Sequence, residues 1–143
     1  MKKPTTIGFY GYSNSGKTTL IERLIQELCR RGMKIAAIKQ SAHPVSMDSE
    51  GKDTFRFTKA GADPVILSSE IETNIKFNKS LGIDEIIKLI SGINKPDIII
   101  IESARDTKIR KIRIGDIELR ENTFWTYSGN FDELVEKILN GGK

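Results

Sequence analysis

Apolar residues fall along this chain in two rhythms, and the alternation between them predicts its architecture. A short apolar run at Thr5–Tyr10 leads into Gly11, and beyond it Leu20, Ile21, Leu24, Ile25, Leu28 and Cys29 lie on one helical stripe. Gly32 stands where helices take glycine at their C-terminal end. Residues 34–40, with Ile35, Ala36, Ala37 and Ile38 in succession, then read as a strand buried on both faces. A polar stretch over 41–51 reads as a functional loop, followed by a weaker helical segment over 52–60 and a short strand over 64–67. Ile83, Ile86, Ile87 and Ile90 mark a helix that begins near Asp84 and ends at Gly92, and residues 97–101 are nearly pure isoleucine. A strand of that kind needs cover on both faces. Helices alternating with apolar strands predict an α/β fold, a mostly parallel sheet with helices on both sides.

The C-terminal third reads differently. Ile112-Arg113-Ile114 and Ile117-Glu118-Leu119 alternate about Gly115-Asp116, which predicts a hairpin and hence an antiparallel ribbon over 111–121. Asn130 can cap a last helix whose apolar face is Leu134, Val135, Ile138 and Leu139, ended by Asn140-Gly141-Gly142. Neither a repeat nor a linker interrupts the pattern, and 143 residues suit a single domain spanning 1–143.

Composition narrows the class without choosing a function. With 38% hydrophobic and 29% charged residues, the chain reads as an ordinary globular protein. The 23 basic and 19 acidic residues leave +4, which suits a polyanionic ligand and falls short of a nucleic-acid-coating density. No apolar run reaches the roughly 18 residues that cross a bilayer, so neither export nor membrane insertion is expected. The one cysteine, Cys29, cannot close an intramolecular disulfide; its place on the apolar stripe predicts a buried packing residue and fits a reducing, cytoplasmic setting.

Candidate chemistry begins at Gly11-Tyr12-Ser13-Asn14-Ser15-Gly16-Lys17-Thr18, a complete eight-residue phosphate loop set between an apolar strand and an amphipathic helix. Glycines at both ends let the backbone curl so that N–H groups at Ser13, Asn14, Ser15 and Gly16 face phosphate oxygens, and the helix starting near Lys17 adds its positive end. Lys17 is expected to bridge the β- and γ-phosphates, Thr18 to ligate Mg2+, and Thr19 to contact the α-phosphate. Glu102, directly after the isoleucine strand, is the candidate carboxylate for the cation's water shell, because ligands of such sheets bind at the C-terminal ends of strands. Asn94-Lys95-Pro96-Asp97 imitates a guanine-reading motif but precedes its strand, which puts it at the opposite edge of the sheet; a helix-to-strand turn is expected there.

The loop Gly11 to Thr18, Ile38-Lys39-Gln40, Asp48-Ser49-Glu50-Gly51-Lys52-Asp53-Thr54 and Lys59-Ala60-Gly61-Ala62 together resemble the MobB family of molybdopterin-guanine dinucleotide biosynthesis proteins, over roughly the first 105 residues. The resemblance implies GTP binding with weak hydrolysis. It also implies an adapter role beside the MobA-like guanylyltransferase that joins GMP to molybdopterin, in molybdenum or tungsten cofactor maturation, and a homodimer formed through extended β-structure, which the ribbon over 111–121 would supply. By the same resemblance Asp53 lies near Mg2+ and the γ-phosphate, Lys52 or Asp48 lines that mouth, and one cation is shared by Thr18, Asp53 and Glu102. Two positions depart from the family pattern. Glu102 is followed by Ser103-Ala104-Arg105 instead of glycine, an aromatic residue and lysine, and Gln40 stands where histidine is usual.

The remaining features read as structural. His43 is a loop residue, the basic positions Lys108, Arg110, Lys111 and Arg113 are the solvated side of a half-buried ribbon, and Phe124, Trp125 and Tyr127 are core or dimer contacts. Two other functions fit a phosphate loop. A small-metabolite kinase would use Asp53 to activate the acceptor, yet the segment 51–62 offers only Arg56 to clamp a transferring phosphoryl group. A GTPase that delivers nickel or a similar metal normally carries several soft ligands, and this chain has one cysteine and one histidine.

Overall fold

The computed structural model describes residues 3–48 and 50–142, so Ser49 of the Asp48–Thr54 stretch lies outside the described residues. Two units form, Met1–Ser41 with Ile83–Lys143, and Ala42–Gly82.

The larger unit is built on strands β1 (Thr5–Tyr10) and β2 (Ile35–Lys39), joined by helix α1 (Lys17–Arg30). In the smaller unit follow helix α2 (Asp53–Ala60) and strands β3 (Val65–Ser68) and β4 (Thr73–Lys76). The larger unit resumes with α3 (Ile83–Ile93), β5 (Ile98–Glu102), β6 (Lys111–Ile114), β7 (Thr123–Tyr127) and α4 (Phe131–Leu139). Its sheet has the order β2-β5-β1-β6-β7, with every neighbouring pair parallel.

The isoleucine strand shows how the middle of that sheet is covered on both faces, whereas β2, at its edge, leaves Ala37 and Lys39 exposed instead of being buried on both faces. Ile98 and Ile100 pack with Ile7, Phe9, Ile112 and Ile114 against α1 (Ile21, Leu24, Leu28) and α4 (Leu134, Val135, Ile138). Ile99 and Ile101, pointing the other way by the two-residue period of a strand, pack with Ile83 and Ile87 of α3. Each such side chain, fully buried, contributes about 1.5–3 kcal/mol, so β5 is the mainstay of both faces. Helix ends follow the sequence signals. Gly32 donates to Cys29 O and Met33 to Leu28 O, closing α1 in a left-handed glycine cap, and Asn130 Oδ1 accepts from Glu133 N at the start of α4.

Three further expectations are corrected. The hairpin over 111–121 does not form. Gly115 does turn the chain at φ 80°, but both edges of β6 are already occupied, by β1 on one side and β7 on the other, and both pairings are parallel. The antiparallel element is instead the β3–β4 pair of the smaller unit, Val65 opposite Lys76 through Ser68 opposite Thr73, whose second strand is too polar to stand out in the sequence. Cys29 is exposed, because one residue beyond Leu28 the helix has turned the side chain about 100° away from the core.

Candidate phosphate-binding site

The site starts where β1 ends. Tyr10 and Gly11 are buried, and a Cβ on Gly11 would lie 3.0 Å from the Ile114 carbonyl oxygen, so the loop leaves the sheet through a gap that admits only glycine comfortably. Asn14 at φ 62° and Gly16 at φ 83° then reverse the chain into α1. Gly16 caps that helix without a side-chain hydrogen bond, and the first turn carries no acidic residue. The helix end thus presents backbone N–H groups and positive potential with no carboxylate of its own to compete, the arrangement that receives phosphate. Ser13, Asn14, Ser15, Thr18 and Thr19 are exposed there, and Lys17 is half-buried.

β5 brings the second half. Glu102 is in register with Phe9 of β1 and Lys39 of β2, which puts its carboxylate beside the beginning of α1. Thr18 Oγ1 donates to Glu102 Oε1 at 2.9 Å, and Lys17 Nζ donates to Ser103 Oγ at 3.1 Å and to Gly11 O at 3.5 Å. The hydroxyl of Thr18 and the carboxylate of Glu102 are hard oxygen donors, a set that suits Mg2+ and not a soft transition metal.

Behind Glu102 the chain kinks across β1. Ser103 takes φ 63°, and the amides of Ser103 and Ala104 both donate to Phe9 O, at 2.8 and 3.2 Å. Ala104 is fully buried, and a Cβ built on Gly8 would stand only 2.3 Å from the Ala104 Cβ. Gly8 therefore makes room for the crossing that fixes Glu102 and Ser103 against the loop. Sequence reasoning missed both Gly8 and Ser103; a glycine in mid-strand was the available signal for close backbone approach.

Asp53 is the first residue of α2, exposed, in the smaller unit. Beside it in that unit Asp48 accepts from Thr54 Oγ1 at 2.9 Å and pairs with Lys76 Nζ at 3.1 Å, pinning the first turn of α2 to β4. Asp97 takes the turn role expected for it: its Oδ2 accepts from Lys34 N at 2.7 Å, at the N-terminal edge of the sheet.

The basic run is only partly a solvated face: Lys108 and Arg110 are exposed as expected, whereas Lys111 is buried and Arg113 half-buried, which corrects the expectation for those two. Lys111 is 1% exposed, its Nζ held by the carbonyl oxygens of Asp106 (2.5 Å), Ile109 (2.7 Å) and Glu121 (2.9 Å). Burial pulls its pKa below the usual lysine value. Arg110 stacks on Phe124 and donates to the Gly141 and Gly142 carbonyls past the end of α4, while Arg113 donates to Thr126 Oγ1 and Ile117 O. Phe124, Trp125 and Tyr127 pack on the α1/α4 face of the core.

A five-stranded parallel sheet whose central strand runs through a glycine loop into a helix, with a carboxylate at the end of the adjoining strand, defines a phosphate-loop NTPase-like protein. The family model described as MobB, Molybdopterin guanine dinucleotide synthesis protein B, matches residues 6–134, and the chain belongs to that family. It is 36% identical over 115 residues to the molybdopterin-guanine dinucleotide biosynthesis adapter protein of Haemophilus influenzae, covering 79% of this chain and 64% of that one. It is 32% identical over 110 residues to the adapter protein of Escherichia coli, covering 74% and 62%. The chain thus matches a little under two thirds of the length of these relatives. In fold it is similar to Bacillus subtilis MobB, with a TM-score of 0.72, 19% identity, and coverage of 97% of this chain and 98% of that one. Among the described residues no helix is long and apolar enough to cross a membrane.

Proposed function

We propose that this chain is a cytoplasmic GTP-binding adapter in molybdopterin-guanine dinucleotide biosynthesis, dimeric, working beside a MobA-like guanylyltransferase and hydrolysing GTP slowly with Mg2+. The observation that carries the reading is the meeting of Thr18 with Glu102, and of Lys17 with Ser103 next to it, at the start of α1, where Gly16 caps the helix without a side-chain hydrogen bond. In the proposed complex the amides of residues 13–18 hold the triphosphate and Lys17 spans its β- and γ-phosphates. Thr18, Glu102 and Asp53 hold the cation, which supplies charge neutralisation at those phosphates. Slow turnover fits the sequence after Glu102, where the segment 103–110 carries Arg105 and no glutamine to orient water.

Titration of the chain with GTP and ATP in Mg2+ is the direct test. Tighter binding of GTP is the expected outcome; a preference for ATP would remove the guanine assignment, and no affinity for either would remove the site. Lys17→Ala should weaken binding about a hundredfold or more, since it deletes charge-assisted contacts of about 1.5–3 kcal/mol each.

A further inference from the structure

Ser103 is the residue at this site that neither the phosphate-loop motif nor the cation set uses, and three observations single it out. It directly follows Glu102, at a position where the chain takes φ 63°, a left-handed conformation that disfavours a residue with a Cβ. Its backbone is clamped there by its own N–H and that of Ala104, both donating to Phe9 O. Its half-buried hydroxyl accepts from Lys17 Nζ at 3.1 Å, and among the described residues the hydroxyl's own proton has no acceptor.

We infer that Ser103 is a specificity-determining residue that reads the terminal phosphate, donating its hydroxyl proton to a γ-phosphate oxygen; this rests on the nucleotide-binding reading above. The direction follows from the neighbours. Thr18 and Glu102 mark the cation end of the phosphate chain, and Ser103, the residue after Glu102, meets the same Lys17 ammonium that donates to Gly11 O. A lysine that spans the last two phosphates therefore leaves Ser103 beside the last one, and a diphosphate gives that hydroxyl nothing to reach. While it accepts from Lys17, the Ser103 oxygen also has its proton directed elsewhere, as a donor to an anion requires. The family pattern has glycine at this bend, which fits φ 63° without a Cβ; the serine here adds a hydroxyl at that place.

Two variants separate the hydroxyl from the bend. Ser103→Ala removes the hydroxyl and keeps the Cβ; Ser103→Gly removes both and suits the backbone, so it folds at least as well. Dissociation constants for a non-hydrolysable GTP analogue and for GDP are measured on the wild type and both variants. The expected result is that the preference for triphosphate over diphosphate falls about tenfold in both variants with GDP binding unchanged, the effect of losing one hydrogen bond to a charged group. Equal losses for the two nucleotides, no change in either variant, or a loss in Ser103→Ala that Ser103→Gly restores would each overturn the inference while leaving nucleotide binding intact. A wild type that binds neither nucleotide would overturn both readings.

Discussion

Lys111 is the side chain whose environment differs most from what its type suggests. Its ammonium is enclosed by three backbone carbonyls from the two loops that flank β6, so one cation ties residues 106–109 to residue 121. Lys111→Met should fill similar space and leave those oxygens without a donor, a loss of about 1–3 kcal/mol on denaturant unfolding; a variant as stable as the wild type would show that water replaces the ammonium at no cost. The pH dependence carries a sign. Burial holds the folded pKa below the unfolded lysine value, so between the two the unfolded chain binds more protons, and stability contributed at this site rises with pH through that alkaline window. The rise should be present in the wild type and missing in Lys111→Met. Glu102→Gln makes the complementary test at the site. It keeps the size of the side chain and an acceptor oxygen for Thr18 but removes the charge, so the Mg2+ concentration needed for half-maximal GTP binding should increase several-fold while binding without Mg2+ changes little. A uniform loss at all Mg2+ concentrations would place Glu102 outside the cation's shell.

Elements differ in how openly the sequence declares them. β5 was legible because only a strand covered on both faces can be isoleucine four times over, and α1 because Ile21, Leu24 and Leu28 keep the helical period directly after the glycine loop. Glu102 followed from the same logic, being the last residue of a strand whose neighbour feeds the loop. β6 was misread because a glycine turn reports where the chain bends and not which strand it joins; with β1 and β7 already on its two edges, residues 117–119 had no edge left to pair with. Ser103 was illegible for a different reason: its importance comes from φ 63° and from Lys17, both products of the tertiary fold. The packing of elements yields its own prediction at Gly8. Gly8→Ala would put a methyl group 2.3 Å from the Ala104 Cβ, in a place where neither backbone can yield without moving β1 or the kink after Glu102. Destabilisation by about 1–3 kcal/mol is expected for such overpacking, together with weaker nucleotide binding, because the displaced segment carries Glu102 and Ser103. Loss of stability with unchanged affinity would show that the kink is not what positions the site.

The unit Ala42–Gly82 has a role that ligand binding can reveal. It holds together with little core of its own: α2 buries no residue, Ile66, Leu67 and Ile75 of its hairpin are exposed, and the Asp48–Lys76 pair with Thr54 fastens the first turn of α2. Segments with few buried contacts open at low free-energy cost, so they register a ligand strongly. Nucleotide at a hundred times its dissociation constant should stabilise the folded chain by about 2.7 kcal/mol, whichever residues bind it. Where that stabilisation appears distinguishes the roles. If Asp53 joins Thr18 and Glu102 around the cation, GTP with Mg2+ should slow amide hydrogen exchange over 53–58 as well as over 13–19, and Asp53→Asn should abolish the first protection and keep the second. Protection confined to 13–19 in the wild type would restrict the cation set to Thr18 and Glu102 and leave the smaller unit to serve another partner.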